Sequence, residues 1–204
     1  MRARHAVRRV PIALLVTVLM LPLRAYGSPW AVGVAGGYAN EYHNRTFTYD
    51  GDPYKEGVDG TGLVSLRILR EVGSHFSITS QASWLPYGNK FTRTHQVPIG
   101  VGIRYRVATP PKYDASPYVE LSPSLVWSSW RGADYLEVRG SFVQPGLIVG
   151  VGVQGKVVGR IGLDGGVRYF WSADAKKIPR GPTMSETLEG LGQTAISLGL
   201  YYRL

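Results

Sequence analysis

The sequence predicts an all-β chain, a single eight-stranded antiparallel transmembrane barrel of the up-and-down kind. Three observations predict it. Apolar residues alternate with small or polar ones in eight separate segments, the period of two that a strand with two unlike faces requires. The connections between segments alternate between long and short. Aromatic residues from different segments fall at two levels of the apolar face.

The chain opens with a stretch of a different kind. Arg2, Arg4, Arg8 and Arg9 precede an uncharged apolar run, Val10 to Leu23, and Ala25-Tyr26-Gly27 then places small residues at alternate positions. This is the layout of a cleaved export signal. The apolar run has 14 residues and contains Pro11 and Pro22, short of the roughly 20 a membrane helix needs. Residues 1–27 therefore read as a signal peptide and 28–204 as the barrel domain. Five of the 23 Lys and Arg residues and no acid lie in this leader. The remainder keeps 18 basic and 14 acidic residues, so the net charge falls from +9 to +4. Nucleic-acid binding loses its compositional support with the leader. The chain has no cysteine, which excludes disulfides, thiolate metal sites, a lipidated cysteine anchor and cysteine catalysis.

The first alternating segment puts Trp30, Val32, Val34, Gly36, Tyr38 and Tyr42 on one face, and Ala31, Gly33, Ala35, Gly37, Ala39, Glu41 and His43 on the other. In the second, Val64, Leu66 and Ile68 oppose Thr61, Ser65 and Arg67, with Leu63 and Leu69 intruding on the polar side. The third opposes Phe76, Ile78, Ala82 and Trp84 to Ser77, Thr79, Gln81 and Ser83. The fourth is the most regular: Val97, Ile99, Val101, Ile103, Tyr105 and Val107 against Gln96, Pro98, Gly100, Gly102, Arg104 and Arg106. Val101 is expected to meet lipid near mid-membrane, and Gly102 to face the lumen with room for a small hydroxyl.

The second half repeats the scheme. Val119, Leu121, Leu125 and Trp127 oppose Glu120, Ser122, Ser124 and Ser128. Val143, Leu147, Val149, Val151 and Val153 oppose Gln144, Gly146, Gly150, Gly152 and Gln154. Ile161, Leu163, Val167, Tyr169 and Trp171 oppose Arg160, Gly162, Asp164, Gly166 and Arg168. Ile196, Leu198, Leu200, Tyr202 and Leu204 close the chain opposite Gln193, Ser197, Gly199 and Arg203. Long connections are expected at 44–59, 130–140 and 174–189, and one of intermediate length at 87–95. Short ones are expected at 71–75, at 109–116 and around Gly155-Lys156. Long after odd strands and short after even ones is the habit of outer-membrane barrels, and it places both ends of the barrel domain on the periplasmic side.

Alternation alone does not say which face points inward. An eight-stranded barrel has room only for its own side chains, and the small-or-polar face suits that interior. The aromatics give a separate test. With the first strand running outward, Trp30, Phe76, Tyr105 and Tyr202 fall near the periplasmic end of the apolar face. Tyr38, Tyr42, Trp84, Trp127, Tyr169 and Trp171 fall near the outer end. Amphipathic rings gather at the two lipid–water interfaces, whereas a soluble barrel with an aromatic core has no reason to sort them.

The chain from Ser28 to Leu204 resembles the superfamily of small eight-stranded outer-membrane barrels that includes the OmpA barrel domain, OmpX and OmpW. The last strand carries much of the likeness: Leu198, Leu200, Tyr202 and Leu204 alternate up to the terminus, similar to the signal read by the barrel assembly machinery. The family usually ends in an aromatic, most often Phe, where this chain has Leu204. The resemblance implies residence among outer-membrane lipid, assembly by that machinery and a monomer. It names no extracellular partner and no subfamily.

Several motifs compete for function. Gly150-Val151-Gly152-Val153-Gln154-Gly155 has dinucleotide-loop spacing but lacks the helix start that receives a pyrophosphate, so no cofactor is expected. His75-Phe76-Ser77 is similar to the His-x-Ser pair of outer-membrane lipid A deacylases. Ile78 replaces the Asn of that motif, and no third group follows to orient the base. The acids Asp50, Asp52, Glu56 and Asp59 do not match an EF-hand loop, so no metal site is expected. The inward face carries Arg67, Arg104, Arg106, Arg160, Arg168 and Arg203 with Glu41, Glu120 and Asp164. Buried charges must pair, so these predict a salt-bridged plug, joined by Gln81, Gln144 and Gln193. The same excess of bases also fits a narrow anion-preferring path. A structural or surface-interaction role, such a channel, and a lipid-modifying enzyme remain the three functional readings, with a non-enzymatic barrel first.

Overall fold

The computed structural model describes residues 30–40, 42–49, 52–58, 60–88, 92–107, 115–132, 139–173, 177–179, 184–188 and 192–204. The leader therefore lies outside the described residues, as do Glu41 and the acids Asp50 and Asp59. All regular structure described is strand: β1 (Trp30–Ala39), β2 (Tyr42–Tyr49), β3 (Asp52–Val58), β4 (Thr61–Glu71), β5 (Phe76–Gly88) and β6 (Thr92–Arg106), followed by β7 (Ala115–Gly132), β8 (Arg139–Val158), β9 (Ile161–Ser172), β10 (Lys177–Pro179), β11 (Met184–Leu188) and β12 (Gly192–Arg203).

Eight of these strands close into a barrel in the order β1-β12-β9-β8-β7-β6-β5-β4. Every pairing is antiparallel, and β1 joins both β4 and β12, so the ring has no free edge. The eight alternating segments are the eight wall strands, and their parity sets the two faces. Each wall strand presents an exposed aliphatic row outward, represented by Val34, Leu66, Ile78, Val101, Leu121, Val149, Val167 and Leu198. The opposite rows bury Ala35, Ser65, Gln81, Arg104, Glu120, Gln154, Asp164 and Ser197 inside.

The ends of the strands differ from the sequence expectation. The segments 44–59 and 174–189 are not simple loops. They hold β2–β3 and β10–β11, which join into a second sheet in the order β10-β11-β2-β3. The link is β11 against β2, from Met184↔Tyr49 to Leu188↔Arg45. It follows from barrel closure, because β1 and β12 are neighbours and the connections rising from them leave side by side. Tyr42 belongs to this sheet and not to the first wall strand. The expected 87–95 connection is mostly wall as well, since β5 runs to Gly88 and β6 starts at Thr92.

Arg160 is a correction. The β8–β9 reversal lies at Gly159-Arg160, not at Gly155-Lys156, and Gly159 takes the left-handed φ of 55° that the turn requires. The pairing register shifts between Lys156 and Val158 on β8, which runs on to Val158, and β9 begins only at Ile161. Arg160 is therefore an exposed turn residue, with no place in the lumen.

Candidate functional site

The lumen is filled in layers, and the expected all-polar plug is only one of them. Toward the end carrying the second sheet, Leu63, Leu85, Tyr87, Val126, Ile148 and Phe170 pack with Ala39 and Ala195 into a buried apolar plug. Tyr87 donates its hydroxyl to Gln193 Oε1 within it. Leu63, an intruder on the polar face in the sequence, is thus one wall of a dry layer.

Below the plug lies the ion layer. Arg104 is fully buried and reaches two carboxylates. Its Nε and Nη2 donate to Glu120 Oε2 at 3.1 and 2.7 Å, and its Nη1 donates to Asp164 Oδ2 at 2.6 Å. Nη1 also reaches Gln154 Oε1 at 3.1 Å. Asp164 is the hub. Its Oδ1 accepts from Arg67 Nη1 at 2.6 Å, from the Tyr118 hydroxyl at 3.0 Å and from Arg168 Nη2 at 3.2 Å. Ser197 Oγ bridges Arg67 and Arg168, accepting at 3.1 and 2.7 Å. The Tyr118 ring lies under the Arg104 guanidinium at 3.8 Å, a cation–π contact in a dry setting.

Glycines make room for this layer. A Cβ at Gly152 would stand 2.5 Å from the Tyr118 hydroxyl, and one at Gly162 only 2.1 Å from Tyr201 Cζ. Gly102 corrects the expectation of lumen space. A Cβ there would come within 2.1 Å of the Leu121 carbonyl oxygen and 2.4 Å of Ser122 Cα, so even a small side chain collides with β7 backbone.

Toward the end where β1 starts and β12 finishes, Ala31, Leu69 and Tyr201 form a second apolar cluster. At the mouth Glu71 Oε1 meets Arg106 Nη1 at 2.9 Å and Arg203 Nη2 at 3.5 Å. These side chains are 24%, 16% and 39% exposed, so water screens a cluster it cannot screen deeper in. Arg106 and Arg203 thus stand apart from the mid-lumen layer that holds Arg67, Arg104, Glu120, Asp164 and Arg168.

Outside the wall, Phe76, Tyr105 and Tyr202 are exposed near this mouth, with the Phe76 and Tyr105 rings 5.2 Å apart. Trp30 sits at the same level under the Arg70 guanidinium, 5.3 Å from its ring centre. Tyr38, Trp84, Trp127, Tyr169 and Trp171 are exposed toward the opposite end. The side chain of Tyr42 lies outside the described residues. His75 pairs with Ser74, its Nδ1 being 2.7 Å from Ser74 Oγ, and stacks on Tyr105. Ser77 is buried in the lumen, so the pair does not assemble as nucleophile and base. The glycine-rich run 150–155 is wholly strand, with no helix start to hold a phosphate.

Sequence reasoning missed Tyr118, Glu71 and the apolar plug. Tyr118 carried a usable signal, two residues before Glu120 and therefore on its face. Glu71 resembled a turn residue because nothing in the sequence marks the extra length of β4.

No protein-family model matches the sequence, and no curated protein matches it. Solved structures do match it in shape. Neisserial surface protein A superposes with a TM-score of 0.57 at 15% identity, covering 87% of this chain and 99% of that one. The N-terminal β-barrel domain of Pseudomonas aeruginosa OprF gives 0.51 at 12% identity, over 85% and 97%. A major outer membrane protein from Thermus thermophilus gives 0.51 at 11% identity, over 88% and 100%. The chain has the fold of the small outer-membrane β-barrels. Identity at this level speaks for architecture and not for task.

Proposed function

We propose that residues 28–204 form a monomeric, non-enzymatic barrel in the outer membrane of a Gram-negative-type bacterium, after cleavage of residues 1–27. Its role is structural, or the presentation of the sheet β10-β11-β2-β3 at the cell surface. The observation that supports this reading is the lumen, in which a buried apolar cluster and a salt-bridged layer lie in series. The exposed aliphatic belt supports lipid contact, because so much apolar surface has no place in water. The aromatics at its two levels act as interfacial girdles in this reading. The final strand, with Leu198, Leu200, Tyr202 and Leu204 on its lipid face, serves as the assembly signal. The surface partner is left open.

A narrow anion path is the second reading, favoured by the three buried arginines that face two carboxylates. Planar-bilayer recording separates the two. A closed barrel gives no steady current, and reproducible anion-selective openings from the wild type reject the closed lumen.

A further inference from the structure

The ion layer is not neutral. Arg67, Arg104 and Arg168 face Asp164 and Glu120, and each of the five side chains is at most 7% exposed. Among the described residues one positive charge is left over in a buried layer, where an uncompensated charge is strongly disfavoured. Among the described residues, the layer leaves Arg67 Nε, Arg168 Nε and Glu120 Oε1 without a partner. Arg67 spends both Nη atoms on Asp164 and Ser197, yet its buried Nε–H meets no acceptor among the described residues. Gln81 is 4% exposed, and neither amide atom has a partner among the described residues.

These two residues are neighbours. Arg67 and Gln81 are direct partners across β4 and β5, which sets their Cβ atoms about 4.5–5.5 Å apart. The same row continues through Gly100 on β6 to Ser124 on β7. Gly100 contributes no side chain, but Ile148 Cδ1 would stand 3.1 Å from a Cβ there, so the apolar plug fills the space between this pair and Ser124. Unused donors from Arg67 and Gln81 therefore lie side by side on the wall, at the surplus charge. A water molecule would satisfy some of these donors but would leave the charge.

We propose that the lumen holds one small monovalent anion, of halide size, at Arg67 and Gln81. The donors are those of an anion site, a guanidinium N–H and an amide N–H. The ion neutralises the layer without opening a path, because the apolar plug lies on its far side. This rests on the closed lumen proposed above.

The test uses bromide as the probe. Crystals of the purified barrel grown in detergent and exchanged into sodium bromide should show an anomalous peak beside Arg67 and Gln81. The Arg67→Gln variant, which removes the surplus charge, should lose it. Refolded wild type should melt at a higher temperature in sodium chloride than in sodium gluconate of equal ionic strength, and Arg67→Gln should lose that difference. If Arg67→Gln does not fold, Gln81→Leu should weaken the bromide peak while the barrel remains intact. Density for water alone, with equal melting in both salts, would overturn the proposal. A wild type that is silent in bilayers but has no bromide peak rejects the anion and keeps the closed lumen. One that conducts rejects both.

Discussion

Asp164 is the residue on which the lumen depends most, because three arginines and a tyrosine hydroxyl converge on its two oxygens. Asp164→Ala leaves those arginines with Glu120 alone. Breaking a buried pair from one side costs about 3–5 kcal/mol, so this variant should unfold at markedly lower urea than wild type. Glu120→Gln should cost less, since its amide oxygen can still accept from Arg104. Equal losses would mean that the layer has no hub. Gly162→Ala tests packing instead. Its Cβ would fall on the Tyr201 ring, and overpacking costs about 1–3 kcal/mol. The penalty should shrink in a Tyr201→Ala background, as coupled neighbours require. Parity made Arg67, Arg104, Glu120, Asp164 and Arg168 legible from sequence. It did not reveal who meets whom, because partners such as Arg67 and Asp164 are 97 positions apart. Nor did it reveal that glycines at 152 and 162 are sockets for aromatic rings, since a large ring on a small-residue face looks like an irregularity in the alternation.

At the scale of the strand, the two faces follow from alternation, and the strand ends do not. Within the lipid band one face must be apolar, so the pattern is strict. Beyond it β7 and β8 continue for 18 and 20 residues in all, whereas about 9–11 residues suffice to span. Outside the lipid both faces can be polar, and the period of two loses its contrast. The strands β2, β3, β10 and β11 were hidden for a related reason: β11 pairs with β2, which lies far from it in sequence. Depth along a strand gives the next prediction. Val101→Arg, near mid-membrane, should cost about 2–4 kcal/mol on folding into vesicles. Val157→Arg, at the bulge beside the β8–β9 turn, should cost little, because the side chain reaches water. Similar losses at both positions would contradict the placement of the belt. Gly102→Ser should also fail, but in detergent and lipid alike, because its collision is with the β7 backbone.

At the scale of the whole molecule, the sequence supplied strand number, order and the sidedness of the connections, and the layered lumen came only from closure. Leu63 and Arg67 share one face of β4 and look equally lumenal until the ring brings them into different layers. The inverted surface predicts that the purified protein needs detergent and runs on gels at different positions before and after heating. A monodisperse protein in plain buffer would remove the membrane reading. The two filled layers in series make a sharper prediction. Phe170→Ala deletes the largest apolar side chain of the plug, yet the salt-bridged layer below still fills the lumen. Asp164→Ala disturbs that layer and leaves the plug in place. Each single variant, like the wild type, should therefore show no steady current in a planar bilayer. Only the pair removes both barriers, and the freed arginines would then line the path and favour anions. If the double variant refolds, it should pass small anions in brief openings while each parent stays silent. Steady conductance from Phe170→Ala alone would mean that the ion layer is no seal, and the closed-lumen reading would fall with it.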